Sequence, residues 1–227
     1  MKLTAKEFAQ YCDIGACTAL TTQAEIDFAI ETAIKYQTKS IFTTKCHCAY
    51  AAEKLRGTGI NLEFSVCSPL GHDDIETKIF NTKRYVELGL TEVETFMNLS
   101  YFKSGMYKET FEDILAVRKA TPEGMIMKCI IQTPVLSDEE LKIASQMCVD
   151  AGVDFVKTGN GMFGLTTPHA VEVIANTVQG KAQIKATGDF RNVDEIYTYL
   201  NLGATRFGIL TGQFLDFYNQ IAAREGK

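Results

Sequence analysis

A chain of 227 residues, 46% hydrophobic and 22% charged, is long enough to bury a large apolar core and has the balance of an ordinary globular protein. A formal net charge of -5 with no dense Lys/Arg cluster excludes a nucleic-acid surface, and the longest apolar runs, such as residues 125–131, are too short to cross a membrane and carry a lysine. The seven cysteines are an odd number scattered among apolar residues, which reads as reduced, buried thiols of a cytoplasmic protein; the first residues contain no signal-peptide core.

Short β-rich runs alternate with amphipathic runs along the whole chain. Strands are predicted at residues 11–16, 40–44, 61–66, 92–97, 125–131, 154–158, 183–187 and 205–209. Between them apolar residues recur at spacings of three and four, as in Ile26, Ile30, Ala33 and Ile34, or Leu141, Ala144, Met147 and Cys148. Helix starts are marked by Thr22 with Glu25 and Ser137 with Glu140, both capping boxes, by the similar Asn192 with Glu195, and by Thr167 before Pro168. Gly89, Gly152 and Gly203 each follow a helix and precede a strand, a repeated cap of one supersecondary unit. Eight strands alternating with helices in this length predict an α/β fold, a closed (β/α)8 TIM barrel, as one domain over residues 1–227. A doubly wound sheet is the weaker alternative, because no Gly-x-Gly-x-x-Gly follows the first strand.

The chemistry signal is a lysine in each of three consecutive predicted strands: Lys128, Lys157 and Lys185, all among apolar residues. Lysine is rarely buried without a partner, and a barrel brings neighbouring strands together at the C-terminal mouth where its active sites lie. Burial and neighbouring positive charge both favour the neutral amine, which attacks a carbonyl and forms an imine. The alternative is structural, with each lysine paired to a carboxylate inside the barrel or reaching out of its mouth. Glu94, on the strand before Lys128, is an available carboxylate that either positions the lysines or shuttles protons. No metal site is expected: Cys46-His47-Cys48 has poor zinc spacing, and His47, His72 and His169 are widely separated.

The segment Asp154-Phe-Val-Lys-Thr-Gly-Asn-Gly161 resembles the Schiff-base segment of the deoxyribose-phosphate aldolase family, and Ile184-Lys-Ala-Thr-Gly-Asp-Phe-Arg191 is similar to its second-lysine segment. Ser65-Val-Cys-Ser-Pro-Leu-Gly71, Lys103-Ser-Gly105, Met127-Lys-Cys-Ile-Ile-Gln-Thr133 and Gly203-Ala-Thr-Arg-Phe-Gly208 extend the likeness through nearly the whole chain. The resemblance implies a cofactor-free class I aldolase that cleaves 2-deoxy-D-ribose 5-phosphate to glyceraldehyde 3-phosphate and acetaldehyde, and a homo-oligomer. It makes Lys157 the Schiff-base lysine, Lys185 the neighbour that lowers its pKa, and Glu94 the counterpart of the family's proton-relay aspartate. Lys128 becomes a third lysine lining the site, and Asp13 a carboxylate close to the sugar. Gly161, Gly188, Gly208 and Thr211 match phosphate contacts.

Several positions depart from the family pattern. The usual Asp-His-Thr is Asp13-Ile14-Gly15, the relay aspartate is the longer Glu94, and Phe42 stands where some members have an active-site cysteine. The glycine pair after the seventh strand is Gly188-Asp189, whose carboxylate either repels a phosphate or caps the next helix, and Leu210 replaces a hydroxyl residue. The alternatives are therefore a Schiff-base aldolase or transaldolase on a different sugar, whether nonphosphorylated, differently substituted or differently charged, and a noncatalytic sugar-binding barrel.

Overall fold

Eight short runs of β-branched, aromatic and other apolar residues pair in chain order as parallel strands and close into a barrel, in a computed structural model that describes residues 3–188 and 190–225. The strands are β1 (Cys12–Gly15), β2 (Ser40–Phe42), β3 (Asn61–Ser65), β4 (Glu92–Phe96), β5 (Ile126–Ile130), β6 (Phe155–Lys157), β7 (Gln183–Thr187) and β8 (Ala204–Leu210). Each coincides with a predicted strand, most with one or two residues lost at the ends. The helices are α1 (Ala5–Gln10), α2 (Gln23–Tyr36), α3 (Cys48–Leu55), α4 (Ile75–Glu87), α5 (Leu99–Lys103), α6 (Tyr107–Ala120), α7 (Asp138–Asp150), α8 (Pro168–Val178), α9 (Val193–Asn201) and α10 (Thr211–Glu225). This is the expected (β/α)8 TIM barrel.

Local chemistry accounts for the boundaries. Thr22–Glu25 and Ser137–Glu140 form reciprocal capping boxes on α2 and α7. Asn192 caps α9 by accepting from the Glu195 N–H, while the Glu195 side chain serves the Arg191 N–H instead. Gly152 ends α7 with φ 73°, a left-handed conformation that only glycine adopts without strain, and turns the chain into β6. The helix α1 was not among the predicted elements; Thr4 and Glu7 form its capping box, and Phe8 stacks on Phe214 of α10 at 5.7 Å between ring centroids.

The period of two along each strand separates two environments. Ile14, Ile41, Leu62, Val93, Cys129, Val156, Ile184 and Phe207 are buried in the apolar layer between sheet and helices. There they meet Ile26, Ile30 and Ala33 of α2 and Leu141, Ala144 and Cys148 of α7; Ile34 lies outside this stripe and is largely exposed. Full burial of each large aliphatic side chain contributes about 1.5–3 kcal/mol. The alternate residues turn inward, and eight of those described are charged. Five cysteines are buried as expected, but Cys17 and Cys46 are exposed; all seven are free thiols. Cys46 and Cys48 diverge, one to solvent and one to the core. No helix among the described residues is long and apolar enough to cross a membrane.

Candidate active site

The inward-facing charges form one connected ladder. At its foot, Arg206 of β8 contacts Asp13 through Nε at 2.9 Å and Glu92 through Nη2 at 2.7 Å, and its guanidinium lies 5.4 Å from the centroid of the Phe155 ring. Lys128 lies above the same ring and pairs with Asp13 at 3.2 Å, Glu92 at 2.5 Å and Glu63. Lys185 bridges upward, from Asp13 at 2.8 Å and Glu63 to Glu94 Oε1 at 2.9 Å. At the top, Lys157 Nζ donates to both Glu94 oxygens at 2.9 and 2.7 Å. Strand register produces this stacking: Lys157 stands beside Lys185, Lys185 beside Arg206, Glu63 beside Glu92 and Glu94 beside Lys128.

Among the described residues the ladder holds four cations and four carboxylates. The structural alternative for the lysines is thus part of the finding, since each has a carboxylate partner. Such pairing offsets a desolvation cost of several kcal/mol per ion. The lysines nevertheless differ in access. Lys128 and Lys185 are fully buried, whereas Lys157 retains 7% exposure and alone of the three lines the cavity at the C-terminal ends of the strands.

Burial pulls the Lys157 ammonium below the ordinary lysine value; the Lys185 charge acts the same way, and Glu94 opposes both. Lys185 moves the other way: against the pull of burial, the Asp13 and Glu94 carboxylates hold it above the lysine range. Glu94, though buried, is held below its ordinary value by Lys157 and Lys185, and the charges of Lys128, Lys185 and Arg206 hold Asp13 well below its own. Lys128 is pulled well below the lysine range by burial, with the charges of Lys185 and Arg206 acting the same way, so the expected push toward the neutral amine holds for Lys157 and Lys128 and fails for Lys185.

The cavity encloses about 440 Å³. Gly161, Gly188 and Gly208, the expected phosphate contacts, line one side together with Thr187 and Leu210. A hydrogen-bond relay backs this wall: Tyr199 donates to the Thr166 carbonyl at 2.7 Å, and Thr166 Oγ1 donates to Thr158 Oγ1 at 2.7 Å. Gly208 leaves room for its neighbours, since a Cβ there would meet Thr187 Oγ1 at 2.9 Å and Lys185 Cε at 3.3 Å. Three assignments change. Asp13 and Lys128 lie beneath the cavity instead of lining it, because their partners in the ladder hold them below its floor. Thr211 is buried with its hydroxyl donating to the Gly15 carbonyl at 3.3 Å, outside the cavity lining. Asp189, weighed as either phosphate-repelling or helix-capping, lies outside the described residues.

Glu63, Glu92 and Arg206 escaped the sequence reading, although each is a charged residue inside an apolar strand, the signal that singled out the lysines. Cys17, Thr43 and Lys45 also line the cavity, from the loops after β1 and β2. Gly15 and Phe42, both departures from the family pattern, are register partners. A Cβ at Gly15 would stand 2.0 Å from the Phe42 carbonyl oxygen and 2.9 Å from its ring. Gly15→Ala is accordingly expected to destabilise the fold by about 1–3 kcal/mol in urea unfolding, the usual cost of overpacking. Adding Phe42→Ala should not restore stability, because the backbone oxygen remains; full recovery in that double variant would refute this account.

These features define a β/α barrel with a carboxylate-paired lysine site at its C-terminal mouth. No family model matches the chain. Curated relatives do: among them, the deoxyribose-phosphate aldolase of Staphylococcus saprophyticus is 37% identical over 90% of this chain and 93% of that one, and that of Streptococcus equi is 35% identical over 89% and 92%. Among solved structures, the aldolase QR15 superposes with a TM-score of 0.88 at 25% identity over 96% of both chains. A deoxyribose phosphate aldolase from Aeropyrum pernix, described as a unique tetramer, reaches 0.88 at 20% identity over 97% of this chain and 93% of that one. The chain belongs to the deoxyribose-phosphate aldolase family.

Proposed function

We propose that this protein is a class I aldolase, a lyase that cleaves 2-deoxy-D-ribose 5-phosphate through an imine on Lys157. The observation that carries this reading is the access of Lys157: it is the ladder lysine that reaches the cavity, with Glu94 at 2.7 Å. The neutral amine adds to the sugar's aldehyde carbon, and loss of water leaves a protonated imine. That cation draws the electron pair of the C2–C3 bond towards nitrogen. The bond breaks, the C3 hydroxyl gives up its proton, and glyceraldehyde 3-phosphate leaves. The remaining enamine takes a proton at C2, and hydrolysis releases acetaldehyde and regenerates the amine.

Glu94 is suited to move these protons, since it already accepts from the reacting nitrogen. Lys185 acts from below as a fixed positive charge that favours the neutral form of Lys157 and keeps Glu94 ionised. Asp13 and Lys128 hold Lys185 and the carboxylates in register without touching substrate. Backbone N–H groups around Gly161, Gly188 and Gly208 suit the phosphate. The imine does the work of an electron sink, so no cofactor is needed, and family kinship supports a homo-oligomer.

Incubation with acetaldehyde and borohydride, followed by peptide mass spectrometry, should place a reduced ethyl adduct on Lys157 and on neither Lys128 nor Lys185. Absence of an adduct at Lys157 with acetaldehyde and with deoxyribose 5-phosphate would overturn the proposal.

A further inference from the structure

Two cationic side chains line the cavity among the described residues, Lys157 and Lys45. Their circumstances differ. Lys157 has Glu94 as counter-ion, whereas Lys45 donates to the Cys67 carbonyl at 2.8 Å and has no carboxylate within ion-pair distance among the described residues. Asp73, the carboxylate whose field reaches Lys45, is engaged elsewhere and accepts from the Ser68 N–H at 2.6 Å. Lys45 is only partly exposed, and burial pulls its ammonium below the ordinary lysine value. A half-buried cation without a contacting carboxylate carries a desolvation cost that an anionic ligand group would offset.

The surrounding wall is built. Cys67 Sγ, on the residue that holds Lys45, accepts from the Phe96 N–H at 3.2 Å, which ties the loop after β3 to the end of β4. Thr43, two residues before Lys45, is 2% exposed and packs this wall from behind. A cation on the cavity wall whose direct partner is a neutral carbonyl is suited to an anionic acceptor from the cavity side. In an eight-stranded barrel closed in chain order, β2 stands opposite β6. Lys45 follows β2 and therefore faces Lys157 across the mouth, away from the glycine wall of β7 and β8.

We infer that Lys45 forms a second, anion-accepting subsite opposite Lys157, which selects aldehydes that carry a terminal carboxylate or phosphate. The inference rests on the Schiff-base reading above. A substrate aldehyde bound as its imine at Lys157, with loss of water, would extend across the cavity and set its acid group against the Lys45 ammonium. This subsite adds a second anion contact, on the wall opposite the glycines.

The test compares borohydride trapping at Lys157 for aldehydes of equal chain length with and without an acid group. The pairs are 4-oxobutanoate against butanal, and glycolaldehyde phosphate against glycolaldehyde. In the unmodified enzyme the acid-bearing member of at least one pair should be trapped at concentrations on the order of tenfold lower, the effect of one charge-assisted contact. Lys45→Met should abolish that preference and Lys45→Arg should keep it, while acetaldehyde trapping stays unchanged in both variants, which establishes that they are folded. Loss confined to the first pair identifies a carboxylate, and loss confined to the second identifies a phosphate. Equal trapping within both pairs, or a preference that survives in Lys45→Met, would overturn the subsite. Failure of acetaldehyde to label Lys157 in the unmodified enzyme would instead overturn the Schiff-base reading, and the subsite with it.

Discussion

Lys157→Met is expected to lower cleavage of 2-deoxyribose 5-phosphate by about 10⁴-fold or more, with little change in stability. The size of the effect follows from the role: without the amine there is no imine, and among the described residues the other cavity amine, Lys45, has no carboxylate beside it. The stability forecast comes from the ladder. Glu94 loses Lys157 but keeps Lys185 at 2.9 Å, so no carboxylate is left unpaired. Lys157 also sits at the top, where 7% exposure lets water replace it. Steady-state turnover and urea unfolding on the same preparation check both halves. Retention of more than a tenth of the activity would favour the noncatalytic or substrate-binding alternative. A large loss of stability would make the activity result uninformative and would contradict the ladder geometry.

Glu63→Leu should have the largest effect on stability, about 3–5 kcal/mol in urea unfolding, the range for breaking a buried pair from one side. Glu63 is fully buried and contacts both Lys128 and Lys185, so its removal strips a counter-ion from two buried ammonium groups at once. The companion variant Glu63→Leu with Lys128→Met should recover much of the loss. It leaves three cations, Lys157, Lys185 and Arg206, facing three carboxylates, Asp13, Glu92 and Glu94. A coupling of about 1–3 kcal/mol between the two substitutions is the expected signature of residues in one network. If the single variant lay within 1 kcal/mol of the unmodified protein, the ladder would not be a load on the fold, and the charge balance would need another explanation.

Both predictions concern residues that the one-dimensional pattern treats alike, as charges inside apolar strands. Access to the cavity, decided by height along the barrel axis, separates Lys157 from Lys128. Strand pairing likewise separates Glu94, in contact with the reacting lysine, from Glu92, which lies two residues earlier at the foot of the ladder beside Arg206.

By itself the sequence determined the eight strands, the caps at Thr22, Ser137 and Thr167 and the turn at Gly152, because these rest on local backbone chemistry and short-range periodicity. It also identified Lys157, because a lysine amid apolar residues in a family-like segment is a local signal. Only the tertiary structure decided what surrounds that lysine. Asp13, Glu63, Glu92 and Arg206 reach the ladder from four strands far apart in the chain, and no spacing rule encodes their distances. The same closure lowered Asp13 and Lys128 beneath the floor, turned Thr211 to the Gly15 carbonyl, and placed Lys45 across the mouth. Lys157 was legible because its signal lies within one strand; its electrostatic setting was not, because Coulomb energy depends on distances that exist only once the barrel closes.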